Sequence, residues 1–275
     1  MAIIAISRGT YTGAEALAQQ IAERLGYPYL NREQAVAAAA QQYHIPVEEL
    51  TAAMERRPSF WDRTLSPHIA FLPAMRATLC AHVRQDNLVY SGHAGHLLLP
   101  GIPQVVSVRA VAELETRVQE ALQTRPLSHA QALAELKAEE QTHREWAHFL
   151  FGVEWEDPTL YHLVVNLSRL HLDSACAAVV RMTGCPQFQS SPSSRKALQD
   201  FALHSRVSAT LAMDFRTRDA RLKVTVDGGV VTITGTTRWS EVAEAVPAVV
   251  RQVKGVTDVK SEITGGTPPP GLTWY

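Results

Sequence analysis

The first 26 residues, MAIIAISRGTYTGAEALAQQIAERLG, limit the fold more than any other stretch of this chain. Ala2, Ile3, Ile4, Ala5 and Ile6 form an uncharged apolar run of the length expected for a strand buried on both faces. Ser7, Arg8, Gly9, Thr10, Tyr11, Thr12 and Gly13 then make a polar turn punctuated by glycine. From Ala14 the period becomes helical: Leu17, Ile21 and Leu25 recur on one stripe with Ala18, and Gly26 closes the helix. Strand, glycine turn and helix in that order aim backbone N–H groups and the positive helix end at an anion. The same order is also a plain connection in any α/β protein. The rest of the chain must decide.

In the P-loop pattern GxxxxGK[ST], loop amides cradle phosphates, the lysine reaches them and the hydroxyl holds Mg²⁺. Gly9 fills the first glycine, but Ala14 falls at the second, Glu15 at the lysine and Ala16 at the hydroxyl. A carboxylate repels phosphates where a lysine attracts them, and alanine offers Mg²⁺ no ligand. Moving the register by one puts Ala14 at the lysine and restores nothing. The expectation is a loop from Ser7 to Ala14 that holds an anion through its amides and Arg8, helped by the helix dipole.

A chain of 275 residues suggests two domains, and 46% hydrophobic with 19% charged is an ordinary globular composition. The N-terminus has no basic stretch and a short apolar run, and no window approaches the ~18 apolar residues of a membrane helix. The reading is a cytoplasmic protein without signal peptide or transmembrane segment. Cys80, Cys176 and Cys185 match no CxxC spacing and are expected as reduced thiols. Residues 1–194 carry 15 Lys and Arg against 19 Asp and Glu, a net of −4, and residues 195–275 carry 11 against 8, a net of +3. The first 194 residues hold fourteen arginines and a single lysine, Lys137, so a phosphate site there must use arginine and backbone.

Short strands are expected at Tyr27–Leu30, Leu88–Tyr90, Val105–Arg109 and Tyr161–Asn166, alternating with helices from Gln34, Val47, Ile69, Glu113, Ala130 and Leu170. Arg56–Arg63 reads as a mixed loop with two aromatics. With the first strand, the pattern is a parallel five-stranded, three-layer α/β sheet. Ser91-Gly92-His93-Ala94-Gly95-His96 is a second glycine-bearing loop at a strand's carboxyl end, where ligands of such sheets bind, and is expected beside the first. Its two histidines find no third ligand nearby, so no metal is assigned. Gln187–Ser194 reads as a polar, solvated linker. Beyond it come a helix at Lys196–Met213, a hairpin around Asp227-Gly228-Gly229, a helix from Trp239 and a last strand from Val256, a compact α+β module. The tail from Gly265 is proline-rich.

Ile6-Ser7-Arg8-Gly9 with Gly13, Tyr27–Glu33, Val89–Gly95, Val105–Arg109 and Trp155-x-Asp157-Pro158-x-x-Tyr161-x-Leu163-Val164-Val165-Asn166 together resemble the cytidylate kinase-like family of P-loop nucleoside-monophosphate kinases over residues 1–188. Residues 195–264, with Gly229, Gly235 and Gly255, resemble a BON domain, a type associated elsewhere with phospholipid or protein partners. The first resemblance implies ATP with Mg²⁺ as cofactor, bound by Ser7, Arg8, Gly9, Thr10, Tyr11, Thr12, Gly13 and Ala14. It implies a monophosphate site at Arg32, Gly92, His93, Arg109 and Asp157, and catalysis by Arg8, Arg32 and Arg144. A lid is implied near Glu139–Arg144. The chain departs at Glu15, at His93 where an arginine is expected, and at the lid, where Glu139, Glu140 and His143 leave Lys137 and Arg144 as the basic groups.

Two functions follow. One is phosphoryl transfer from ATP to CMP or a related monophosphate, an arginine replacing the lost lysine. The other is a catalytically impaired nucleotide or phospho-ligand sensor acting through the BON-like module. The expected partners are a nucleotide and, for that module, an acidic protein or phospholipid. Nucleic acid is not expected.

Overall fold

The computed structural model describes residues 2–55, 68–83, 87–218, 220–237 and 239–265. The loop expected at Arg56–Arg63 and the tail beyond Gly265 lie outside the described residues. By its own contacts the chain divides into two units. One is Met1–Ser66 with His82–Ser194, and the other is Pro67–Ala81 with Arg195–Tyr275.

The first unit is a five-stranded parallel sheet with flanking helices. Its strands are β1 (Ile3–Arg8), β2 (Tyr29–Asn31), β3 (Leu88–Gly92), β4 (Val105–Val111) and β5 (Leu163–Asn166), in spatial order β2-β3-β1-β4-β5. The central strand β1 is buried on both faces, as its unbroken apolar run requires. Ile4 and Ile6 pack with Leu17 and Ile21 of α1 (Ala14–Leu25), Val89, Val106, Val108 and Val179 in one core. Ser7 lies opposite Gly92 on one side and Arg109 on the other, and Asn31 lies opposite Ser91. Because all these pairings are parallel, the loops after β1, β2 and β3 leave the sheet by the same carboxyl edge. The adjacency expected of the Gly9 and Ser91 loops is therefore present.

Two local differences matter at that edge. Helix α2 (Arg32–Tyr43) starts at Arg32 and not at Gln34, because Asn31 caps it: the Asn31 side chain accepts from Gln34 N at 2.8 Å while Gln34 Oε1 accepts from Asn31 N at 3.0 Å. That capping box fixes Arg32 in the first helical turn, beside the end of the sheet. The stretch Gln187–Ser194 is not a solvated linker. Phe188 is 3% exposed within the core and meets His162 edge-on at 4.8 Å, Gln189 Nε2 donates to the Thr183 carbonyl, and Ser191 and Ser194 bond each other at the start of α9 (Pro192–Met213). One large aromatic in a polar stretch is enough to bind it to the sheet.

Between these landmarks the first unit carries α3 (Val47–Glu55), α5 (Gly95–Leu98), α6 (Leu114–Thr124), α7 (His129–Phe151) and α8 (Leu172–Thr183). Ser128 caps α7 through a second capping box with Gln131.

The second unit pairs β6 (Arg221–Asp227) with β7 (Val230–Thr237) antiparallel, and β8 (Asp258–Gly265) adds parallel to β7 after α10 (Ser240–Arg251). Gly228 and Gly229 supply the positive φ values, 57° and 92°, of the hairpin turn. Leu203, Val207, Leu211, Val224, Val231, Ile233, Val246, Val249 and Val250 close its core. Helix α4 (His68–His82), which the sequence places before β3, belongs in all but its last residue to this unit. Its Arg76 lies 5.9 Å from the Phe201 ring of α9, and burial pushes the Cys80 thiol up to about 12 against the opposing pull of Arg206 and Arg76. Among the described residues no helix is long and apolar enough to cross a membrane.

Candidate active site

The loop after β1 is built to present amides. Thr12 Oγ1 donates to the Gly9 carbonyl at 3.0 Å, Tyr11 and Gly13 hold positive φ values of 55° and 76°, and Leu17 N bonds back to Gly13 O at 3.2 Å. Tyr11 turns its ring onto the small core of Val118, Ala121, Ala132 and Leu136 between α6 and α7. Among the described residues no protein acceptor takes the N–H groups of Thr10, Tyr11, Thr12 or Gly13. Alternating helical and left-handed residues turn such amides towards a common point, where an anion fits.

The cation of this loop is one that the sequence reading passed over. Arg117, on α6, is 5% exposed, gives Nε to the Thr10 carbonyl at 2.8 Å and pairs through Nη1 with Glu140 of α7. Its Nη2 is buried without a hydrogen-bond partner and lies 3.6 Å from where a Cβ on Gly9 would stand. An arginine reaching the loop from a following helix carries no local motif. Only its place on an otherwise buried stripe with Val118 and Ala121 was readable.

The expected lysine position points elsewhere. Glu15 accepts from Tyr29 Oη at 3.2 Å and from Asn31 Nδ2 at 3.4 Å, so it braces the end of β2. Burial, with Glu15 adding to it, pushes the Tyr29 phenol up to about 12. The amides and Arg117 suit a phosphate chain, whereas Ala16 supplies no hydroxyl for Mg²⁺. Among the described residues no three His, Cys, Asp or Glu side chains gather as a metal site.

Beside the loop a second group converges. Arg8 Nη2 and Arg32 Nε reach Glu33 at 3.6 and 3.1 Å, and Arg32 Nη1 lies 3.5 Å from His93 Nδ1. His93 lies against His143 of α7 with ring centroids 3.5 Å apart and planes tilted by 39°, and Trp155 stands 5.8 Å from the His143 ring. Burial, then His143, Arg32 and Arg8, hold His93 well below its ordinary range. Burial, then Arg32, Arg8 and Arg117, lower His143 to about 3. Two imidazolium ions at 3.5 Å would repel by about 5 kcal/mol at an effective dielectric of 20, so the rings are not protonated together, and burial with the nearby arginines favours the neutral form of each. His93 Nε2, His143 Nδ1, Arg8 Nε and Tyr90 Oη are all buried without a hydrogen-bond partner. Burial pushes the Tyr90 phenol upward, so it too stays a neutral donor.

The remaining expected residues are placed differently. Ser7 is fully buried, its Oγ accepting from Trp155 Nε1 at 2.8 Å and facing Tyr161 Oη at 3.4 Å. Arg109 lies over the Trp155 ring at 4.3 Å, donates to the Trp155 carbonyl and pairs with Glu156 at 3.6 Å. These contacts bind β4 to the 155–161 segment. Asp157 is exposed and accepts from Thr159 N at 2.8 Å, capping a single 3₁₀ turn apart from the arginines. Arg144 sits in mid-α7, 3.2 Å from Glu156 and 3.8 Å from Glu140, so it joins Arg117 through a shared carboxylate. Gly92 has no room for a side chain, since an added Cβ would lie 2.3 Å from Tyr90 Oη. Ala14 is buried at the start of α1.

A model of the cytidylate kinase-like family matches residues 3–169, and a BON domain model matches residues 199–266. No curated protein matches the chain. Among solved structures, an uncharacterized protein from Eubacterium ventriosum is 14% identical, with a TM-score of 0.51 over 66% of this chain and 98% of its own. A shikimate kinase from Bacteroides thetaiotaomicron is 12% identical, with a TM-score of 0.43 over 67% and 99%. A gluconokinase from Sinorhizobium meliloti is 18% identical, with a TM-score of 0.44 over 69% and 98%. At 14% identity and a TM-score of 0.51, the likeness to the first of these is one of fold.

Proposed function

We propose, from the premise that this chain belongs to the cytidylate kinase-like family, that its first unit binds a nucleoside phosphate at the carboxyl edge of the sheet. The observation that carries this reading is the meeting of open loop amides with Arg117 Nη2, a buried cationic donor that lacks an acceptor. The loop from Ser7 to Ala14 receives the phosphate chain of ATP. Arg8 and Arg32, at the end of β1 and the start of α2, face a second phosphate. Ser7, Arg109 and Asp157 act here as framework, given the bonds they already make.

Phosphoryl transfer from ATP to CMP or a related monophosphate is the second reading. It is favoured by two cationic places on one edge, one at the loop with Arg117 and one at Arg8 and Arg32. Transfer needs charge neutralised at the moving phosphoryl group. Here Glu140 already pairs with Arg117 and lies near Arg144, so turnover is slow and binding is the main activity. The chain then works as a sensor, with residues 195–264 as the part that meets an acidic protein or a phospholipid in the cytoplasm.

Calorimetric titration of the full chain with ATP and with CMP, each with and without Mg²⁺, tests this. Micromolar binding of at least one, weakened more than tenfold in Arg117→Ala and changed less than threefold by Mg²⁺, is expected. Binding of neither nucleotide overturns it. ADP release from ATP with CMP present separates enzyme from sensor.

A further inference from the structure

The buried histidine pair assigns a role to α7 that neither the loop nor the arginines provide. Arg32 Nη1 is a donor, so the His93 Nδ1 that it faces at 3.5 Å is the acceptor and the ring proton sits on Nε2. That Nε2–H is buried and has no acceptor. His93 as a whole is 6% exposed. The Nδ1 of the His143 ring lying against it is likewise buried and unpartnered. Native interiors seldom leave such groups unmatched, and an unmatched group points to a missing partner. Arg8, Arg32 and Arg117 all bear electrostatically on His143, Glu33 pairs with Arg8 and Arg32, and Glu140 pairs with Arg117. What the two imidazoles lack is an acceptor, and in so cationic a setting an oxyanion suits.

We infer that His93 and His143 together donate hydrogen bonds to the phosphate of a bound nucleoside monophosphate, with Arg8 and Arg32 supplying the charge. The inference rests on the nucleoside-phosphate reading above and adds a residue from α7, His143, to the binding set. Its substance is the division of labour: neutral imidazoles give direction, and the guanidinium groups give attraction. A phosphate held this way should not need an imidazolium, because burial, the close approach of the two rings at 3.5 Å and three nearby arginines oppose a proton on either ring. Affinity should therefore be flat in pH wherever the phosphate is dianionic, above its second pKa of about 6. The Tyr90 phenol, which shares Arg32 and Arg8 with the histidines, is shifted up and does not ionise in that range.

The test is titration of the full chain with CMP and, separately, with inorganic phosphate, from pH 6.5 to 8.5. Expected are less than threefold change in CMP affinity across that range and a tenfold or greater loss in His143→Phe. Recovery to within about threefold of the native affinity is expected in His143→Gln, whose amide restores a donor without a titrating ring. His93→Gln should behave as His143→Gln, which guards against a packing defect in the phenylalanine variant. Binding that strengthens about tenfold per unit of acidification overturns the inference. So does CMP binding indifferent to His143→Phe, or a glutamine variant as weak as the phenylalanine one. In each of those cases the nucleoside-phosphate reading survives, because CMP still binds. If neither CMP nor ATP binds the native chain, both fail together. Phosphate binding as tightly as CMP identifies free phosphate as the ligand, which overturns the nucleoside part.

Discussion

The two units differ in where they place polar groups that lack a partner. In the first, Arg8 Nε, Tyr90 Oη, Ser91 Oγ, His93 Nε2, Arg117 Nη2 and His143 Nδ1 are buried without a hydrogen-bond partner. Several of them gather at the carboxyl edge of one sheet. In the second, valines and leucines fill the core, and the ion pairs of Lys196 with Asp200 and Asp227, and of Arg216 with Asp214, lie at the surface, although Arg206 Nε is buried there without a hydrogen-bond partner. A buried donor without an acceptor costs about 1–3 kcal/mol, so a fold keeps such a group where something else rewards it. On the proposal above, a ligand accounts for the groups gathered at the sheet edge of the first unit, whereas the core of the second is closed by its own packing.

The largest expected effect tests whether that contrast marks two independent parts. Ile233 is fully buried in the second unit, and Ile233→Ala should destabilise that unit by about 2–5 kcal/mol through transfer and cavity terms. If the nucleotide site belongs to the first unit alone, ATP or CMP affinity measured by titration should change less than threefold. Loss of binding together with loss of the second unit would show that the site depends on it. A chain cut after residue 188 is a harsher version, because it leaves Arg76 of α4 without Phe201.

Next in size is Arg117→Ala. Removing one partner of a buried ion pair leaves the other uncompensated, typically at about 3 kcal/mol. Glu140 retains some exposure, which places the expected loss near the lower end. The urea midpoint of the first unit should fall while the second unit's transition stays in place. Arg117→Ala with Glu140→Gln should recover part of that stability but none of the nucleotide affinity. Full recovery of affinity would show that Arg117 serves the loop only as a brace.

Lowering the pH should destabilise the first unit more than the second, with His143 alone contributing about 2 kcal/mol. His143, His96 and His93 have folded-state pKa values below the ordinary one of about 6.5, at about 3, about 4 and well below it. The unfolded chain then binds protons that the folded one refuses, so this stability is complete above pH ~6.5 and is lost as pH falls towards the folded values. His143 alone should contribute a loss of about 2 kcal/mol between pH 6.5 and 5, at 1.4 kcal/mol per unit. In the second unit burial likewise lowers His204, so its decline should be shallower. Denaturation followed through the buried Trp155 would read the first unit, and His143→Gln should remove about one proton from its slope. Equal slopes in both units would erase this part of the contrast.

The same contrast explains what was legible in the chain. The strand, glycine turn and helix of residues 2–26 follow from local period and capping, so the sheet and the loop edge could be read directly. The hairpin at Gly228-Gly229 was equally local. The pairing of α4 with α9 could not be read, since nothing in Phe71, Met75 or Leu79 says which core will bury them. Nor could the roles of Arg117 and His143, while His93 was named as a site residue only through the family resemblance. These residues come from α6, the β3 loop and α7, and they meet only because β1, β3 and β4 lie side by side. Phe188 was hidden differently: one aromatic in a polar run was outvoted by its neighbours, yet its burial decides the segment. Arg109 and Asp157 were legible as polar residues near strand ends, but their bonds to Trp155, Glu156 and Thr159 depend on a turn that no pattern displays.

The smallest expected effect is also the one that tests the loop most directly. Glu15 occupies the place where a phosphate-binding lysine would stand, but its carboxylate is held by Tyr29 and Asn31 at the end of β2. Glu15→Lys therefore does two things. It removes two partly buried hydrogen bonds, a loss of about 1 kcal/mol in stability. It also replaces a negative charge in the first turn of α1 by a positive one, which the helix dipole opposes by a few tenths of a kcal/mol to about 1 kcal/mol. Against these stands the attraction of an ammonium for the phosphate chain, which should raise ATP affinity by about one order of magnitude if the side chain turns towards the loop. The Tyr29 phenol, relieved of Glu15, should titrate below its native value of about 12, and a spectrophotometric titration would follow it. A tighter ATP complex with a lowered Tyr29 titration is the expected pair of results. A lowered Tyr29 titration with unchanged ATP affinity would mean that position 15 faces β2 whatever residue fills it. The loop would then owe its charge to Arg117 alone.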